Sequence, residues 1–169
     1  LVQKANNYLS HTPAPGDACY TAGAKEGAAT SNLFGGNQST DPASDVFGWT
    51  NDKNNLAALM EAGHRRWILH PPLGYISYGQ VLGRSALKVF GFGMQPTTPV
   101  PAGLEFVALP FESYPWVLVS QGAAPTPWSV SMVPPTGMSS AFNYFQNATV
   151  TVTDNDSGAS LPVLDLHKD

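Results

Sequence analysis

Leu1, Val2, Ala5, Tyr8 and Leu9 fall on one stripe, because residues three and four apart share a helix face. That spacing predicts an amphipathic helix over Leu1 to Ser10, stopped near His11 because Thr12-Pro13-Ala14-Pro15-Gly16 cannot continue it. The small, Ala-rich stretch from Ala22 to Ser31 suits a second short helix, and Leu33-Phe34-Gly35-Gly36 reads as a loop after it. Asp41-Pro42 opens a third helix, with Asp as cap and Pro in the first turn, where its missing N–H costs nothing. Its expected buried face is Ala43, Val46, Phe47 and Trp49. A polar run, Asn51 to Asn55, separates it from the apolar Leu56-Ala57-Ala58-Leu59-Met60.

Beyond Pro72 the pattern changes. Tyr75 to Val81 and Ala86 to Phe92 read as two strands joined through Gly83, and Gln95 to Pro101 as a Pro-rich connector. Short β-like runs follow at 104–109, 116–120, 128–132 and 148–153, parted by Pro and Gly turns. Runs of that kind with no helical stripe resemble part of a β-sandwich. The expected class is α+β: an α+β domain over residues 1–94, a connector and strand over 95–110, and a β-sandwich-like module over 111–169. That module is shorter than the roughly 100 residues of a full immunoglobulin-type sandwich, so it is expected to be incomplete.

Composition narrows the roles. With 43% hydrophobic residues the 169-residue chain can build a core, while 16 Gly and 15 Pro make it rich in loops. A net charge of −4 with 8 Lys and Arg argues against nucleic acid, where affinity comes from many basic contacts to phosphate. The apolar runs are too short for a transmembrane segment. Few charges and abundant Ser, Thr, Asn, Gly and Pro point to secretion, and Asn37, Asn147 and Asn155 each begin a glycosylation sequon. Cys19 is the single cysteine, so it is either a buried free thiol or paired with a cysteine outside these residues. Leu1-Val2-Gln3-Lys4 reads as the interior of a helix, so the chain is expected to be a processed or partial product.

The densest motif is Gly63-His64-Arg65-Arg66-Trp67-Ile68-Leu69-His70-Pro71, with Gly74 and a strand behind it. Upstream stand Ser10-His11-Thr12-Pro13, Ser31-Asn32-Leu33 and Trp49-Thr50-Asn51-Asp52. This order resembles the CAP superfamily of cysteine-rich secretory and pathogenesis-related proteins, and most of all its bacterial SCP-like secreted branch, over roughly Leu1 to Phe92. The resemblance implies a CAP-type α-β-α sandwich around a cleft of two His and two acidic residues, followed here by a small immunoglobulin-like module. His11 matches the first His, His64 the second and Asp52 one acid. Ser31 stands where the other acid is usual, and the opening helix of the family has no counterpart ahead of Leu1. Asn32, Trp49 and Arg65 are implied as structural support.

Two neutral imidazoles converging on a cleft can hold Zn²⁺ or another divalent cation, weakly, since water must fill the remaining positions. A neighbouring carboxylate would orient an imidazole, and Ser31 withdraws one such anion. Read alone, each His is a hydrogen-bonded packing residue. Ser31, a His and Asp52 also contain the residue types of a hydrolase set, but no Gly-x-Ser-x-Gly elbow surrounds Ser31. His70 abuts Pro71-Pro72 and His167 lies near the C-terminus, so neither is a third ligand. Arg65 is read as bracing its turn through carbonyls or a carboxylate such as Asp52 or Glu61, Arg66 as facing solvent, and Trp67, Ile68 and Leu69 as core. Trp116, Trp128, Phe142, Tyr144 and Phe145 read as core of the β-module before a ligand platform. Asp154 and Asp156 read as a polar turn before a Ca²⁺ site.

The leading expectation is therefore a secreted, non-catalytic protein whose His-containing cleft takes a divalent ion or a small apolar ligand. Its β-module would contact a cell surface or a neighbouring subunit. The alternatives are a structural subunit of an extracellular assembly with a vestigial cleft, and, behind both, a hydrolase.

Overall fold

A computed structural model describes residues 1–35, 41–53, 62–91, 100–113, 126–133, 147–164 and 166. It combines short helices with small antiparallel sheets, a mixed α+β architecture. Among the described residues no helix is long and apolar enough to cross a membrane.

The first helix, α1, covers only Val2–Ala5, shorter than the stripe predicts. Polar side chains end it. Asn6 Nδ2 donates to the carbonyls of Val2 and Ala18, Asn7 is left-handed at φ 50°, and Gln3 exchanges two hydrogen bonds with the backbone of Ser10. Such local bonds compete with the helix ladder. Helix α2, Ala22–Ala29, is capped by Thr21 Oγ1, which accepts from Ala24 N at 2.9 Å.

The segment read as a loop at Leu33-Phe34-Gly35 is instead strand β1, Ser31–Gly35. It pairs antiparallel with β3, Arg84–Lys88, from Ser31 opposite Lys88 to Gly35 opposite Arg84. Ser31, Asn32 and Leu33 are all buried, so the strand shows none of the alternation that marks a half-exposed one. The other partner of β3 is β2, Ser77–Val81, giving the order β1-β3-β2. The β2–β3 hairpin turns through Leu82 and Gly83, both at positive φ (43° and 78°), as a two-residue hairpin loop with right-handed strand twist requires.

Helix α3, Pro42–Asn51, is capped as its sequence predicts, Asp41 Oδ1 accepting from Ala43 N at 3.0 Å. Its buried face differs from the expected one. Ala43 and Val46 are exposed, while Asp45, Trp49 and Asn51 are buried. Trp49 sits against Leu87 and Val89 with Phe34, Ile68 and Leu73 around them, and its indole N–H donates to Leu33 O at 3.0 Å. Asp45 tolerates burial because Tyr78 Oη and Gln80 Nε2 of β2 donate to its Oδ2 at 2.7 and 3.2 Å.

Desolvation, and then the hydrogen bond and charge of Asp45, push the Tyr78 phenol up to about 12. An unfolded tyrosine ionises near 10, so the unfolded chain gains stability between pH 10 and 12 while native Tyr78 stays protonated. Denaturation midpoints should therefore be insensitive to Tyr78 below pH 10 and fall above it. Tyr78→Phe should flatten that alkaline slope when the midpoint is followed against pH. An unchanged slope would remove Tyr78 as its source.

Helix α4, Gly63–Ile68, carries the Gly-His-Arg motif. Trp67 does not enter the core: it is 38% exposed and stacks on Phe90 at 4.7 Å, while Ile68 packs against the Trp49 cluster. Downstream, β4 (Phe106–Leu109) pairs antiparallel with β5 (Ser129–Met132), and β6 (Val152–Thr153) with β7 (Ser160–Leu161). The runs at 104–109 and 128–132 thus form strands, that at 148–153 shrinks to two residues, and β7 had no sequence signal. Trp128 is 65% exposed, against the core position expected of it, and Cys19 is exposed rather than buried. Trp116, Phe142, Tyr144, Phe145, the runs at 56–60 and 116–120 and most of the 95–101 connector lie outside the described residues.

Candidate functional site

The site is built where α3 ends and α4 begins. Asp52 closes α3 in a left-handed conformation at φ 54°, its N–H bonded to Gly48 O at 2.9 Å. Asp is among the few non-glycine residues that adopt this region readily. The turn directs the carboxylate inward, and the side chain is 1% exposed. There Oδ1 accepts from His64 Nδ1 at 2.7 Å. Oδ2 accepts from the backbone N–H groups of His64 at 3.0 Å and Arg65 at 3.3 Å. Ala62, at the N-cap of α4, makes no side-chain cap bond. Asp52 supplies that cap from another helix, and its negative charge suits the exposed N–H groups there.

Arg65 follows in the buried interior, 1% exposed. Its guanidinium donates from Nε to Thr50 O at 2.6 Å and from Nη2 to Asn51 O at 2.8 Å. Nη1 reaches across to Pro127 O at 2.8 Å and Ser129 Oγ at 2.9 Å. Beside it, buried Thr126 Oγ1 donates to Asn51 Oδ1 at 2.8 Å. The residues flanking Asp52 and His64 are thus tied to the strand β5 segment, some 62 to 75 positions along the chain.

Strand β1 brings the other side. Asn32 Nδ2 donates to His64 O at 3.0 Å. His11 is exposed, and its Nδ1 meets Ala28 O at 2.7 Å, which requires Nδ1 to carry the proton because a carbonyl only accepts. The same reasoning places the proton of His64 on Nδ1, facing Asp52. In the neutral form of either ring the lone pair is then on Nε2, the nitrogen a metal or an acidic ligand proton would meet.

The geometry couples Asp52 to His64 directly and Asn32 to the His64 carbonyl, while His11 is anchored to α2 just ahead of β1. Ser31 is buried in the β1–β3 ladder opposite Lys88, and among the described residues no hydrogen bond joins it to either imidazole. No group of three or more His, Cys, Asp or Glu able to hold a metal occurs among the described residues. Comparison with protein-family models, curated proteins and solved structures finds no match. The arrangement has to be read from its own chemistry.

That chemistry is an imidazole fixed by a buried carboxylate behind it and partly open to solvent, since the His64 side chain is 23% exposed. It can accept a proton or donate a lone pair to a cation. Of the other expected positions, Asn147 and Asn155 are exposed, and Asn37, Glu61 and His167 lie outside the described residues. Asp154 closes a turn with Ser157, whose N–H and hydroxyl both bond its Oδ1. Sequence reading missed Asn51, Thr126, Pro127 and Ser129, because nothing local marks a contact between segments so far apart. Asp45 it could have found, lying one helical turn before buried Trp49.

Proposed function

We propose that the chain is a secreted, non-catalytic CAP/SCP-like protein, with a CAP-type α-β-α layer and an immunoglobulin-like β-module. Its cleft takes a divalent cation such as Zn²⁺ on His11 and His64. The observation that carries this reading is the Asp52 clamp on His64. A carboxylate that fixes the Nδ1 proton and leaves Nε2 outward is the partner that metal-ligating histidines ordinarily have. His11 has the equivalent arrangement with a backbone carbonyl. Two imidazoles leave the remaining positions to water, so the ion would be weakly held and readily exchanged. Against hydrolysis stands Ser31, buried in a strand, with neither imidazole bonded to its hydroxyl among the described residues.

Titration calorimetry with Zn²⁺ at neutral pH should give one weak site in the wild type and none in His64→Ala or His11→Ala. Unchanged binding in His64→Ala would sink the assignment. A second reading, a structural subunit, draws on Phe106, Trp128 and Val130, which leave one face of the β4–β5 pair exposed and apolar. A discrete multimer in sedimentation, formed equally by His64→Ala and without metal, would favour it.

A further inference from the structure

A cavity of about 240 Å³ opens between the C-terminal half of α4, the following prolines and the β4–β5 pair. None of His11, Ser31, Asp52 or His64 lines it. Leu69, Pro71, Pro72, Val107, Met132 and Val133 make its walls apolar. No carboxylate lines it, and the two arginines in its wall are already engaged. Arg65 commits its guanidinium to Thr50 O, Asn51 O, Pro127 O and Ser129 Oγ, and Arg66 also has an interaction within the chain. What remains open is neutral. Ser131 is half-buried on β5, and among the described residues its hydroxyl makes no hydrogen bond. The His70 ring meets the edge of Trp67 at 5.7 Å between ring centres, and among the described residues neither of its nitrogens has a hydrogen-bond partner.

We infer that this cavity is a binding site for a compact, uncharged aliphatic alcohol, its body against the apolar walls and its hydroxyl on Ser131 and His70. Size limits the body. An apolar cavity of about 150 Å³ accommodates benzene and drug-sized ligands take roughly 300 Å³ and more, so the body is about one six-membered ring with a short arm. Polarity sets the head group. An alcohol hydroxyl has one donor and two acceptor positions, as serine does, and a neutral imidazole offers one of each, so the three can satisfy one another. A hydrocarbon would cover both polar groups without replacing the water on them, which lowers affinity. A carboxylate or an ammonium would leave water with no opposite charge open to receive it. The site is independent of the cation proposal, since the two share no side chain.

The test is an NMR titration of the full chain with cyclohexylmethanol, cyclohexanecarboxylate and cyclohexylmethylammonium, without added metal, read on the methyl groups of Val107, Met132 and Val133. The alcohol should shift them saturably, and each ion should bind about tenfold more weakly or less. Ser131→Ala, which keeps the backbone pairing with Val107, should lower alcohol affinity about threefold or more. His64→Ala should leave it unchanged. Val107→Phe should abolish binding by filling the cavity; if that variant does not fold, Ser131→Ala decides. No saturable shift at these methyls, the carboxylate binding as tightly as the alcohol, or an unaffected Ser131→Ala variant would each overturn the proposal. So would methyl shifts that follow protein concentration without ligand, which would place a second copy over the cavity.

Discussion

Arg65→Ala is expected to destabilise the chain by about 3–5 kcal/mol, close to the whole stability of a marginal domain. The guanidinium is buried and answers three carbonyls and a hydroxyl, those of Thr50, Asn51, Pro127 and Ser129. Alanine leaves all four facing a cavity, and each buried polar group without a partner costs about 1–3 kcal/mol before water enters and relaxation recovers part. Arg65→Lys should fall between, because an ammonium keeps the charge but cannot present the planar fork that spans α3 and β5 at once. Urea midpoints at unchanged slope measure the difference. A loss under about 1 kcal/mol in Arg65→Ala would mean that the α3–β5 tie is not made by this side chain.

The second large effect is at Asp52. Asp52→Ala should cost about 3 kcal/mol: it strips the acceptor from three N–H groups and puts a Cβ without a polar head into the left-handed region. Asp52→Asn separates shape from charge. Asparagine accepts the left-handed turn, so the fold should lose less, but its amide can answer only some of the three donors. Cation affinity should then fall about 10- to 100-fold, the usual effect of removing a partner behind a ligating histidine. Thermal melts with zinc titrations on both variants check this. Asp52→Asn binding zinc as the wild type does would show that the carboxylate does not prepare His64.

Much of the secondary structure could be read from the residues because its signals are local. Asp41-Pro42 caps a helix, and Gly83 makes a hairpin. Strand β1 could not be read, since its buried Ser31-Asn32-Leu33 face lacks alternation and its neighbouring glycines look like a break. Helix α1 is shorter than its apolar stripe predicts because Gln3 and Asn6 take backbone bonds with their side chains and Asn7 turns left-handed. At the site, the residue types at His11, Asp52 and His64 were visible in the motif. The bond between Asp52 and His64 was not, because it depends on a left-handed turn that no pattern announces. The Arg65 tie to Pro127 and Ser129 is a contact between segments over sixty residues apart, which periodicity cannot carry.

The central claim is that His11 and His64 each hold their proton on Nδ1 and offer Nε2 to a cation. Long-range ¹H–¹⁵N spectra of the imidazoles, recorded before and after adding Zn²⁺, address it directly. Both rings should show the Nδ1–H tautomer in the free protein, and both Nε2 resonances should shift on zinc while that of His70 stays put. An Nε2–H tautomer at either position, or Nε2 resonances unmoved by zinc, would contradict the account.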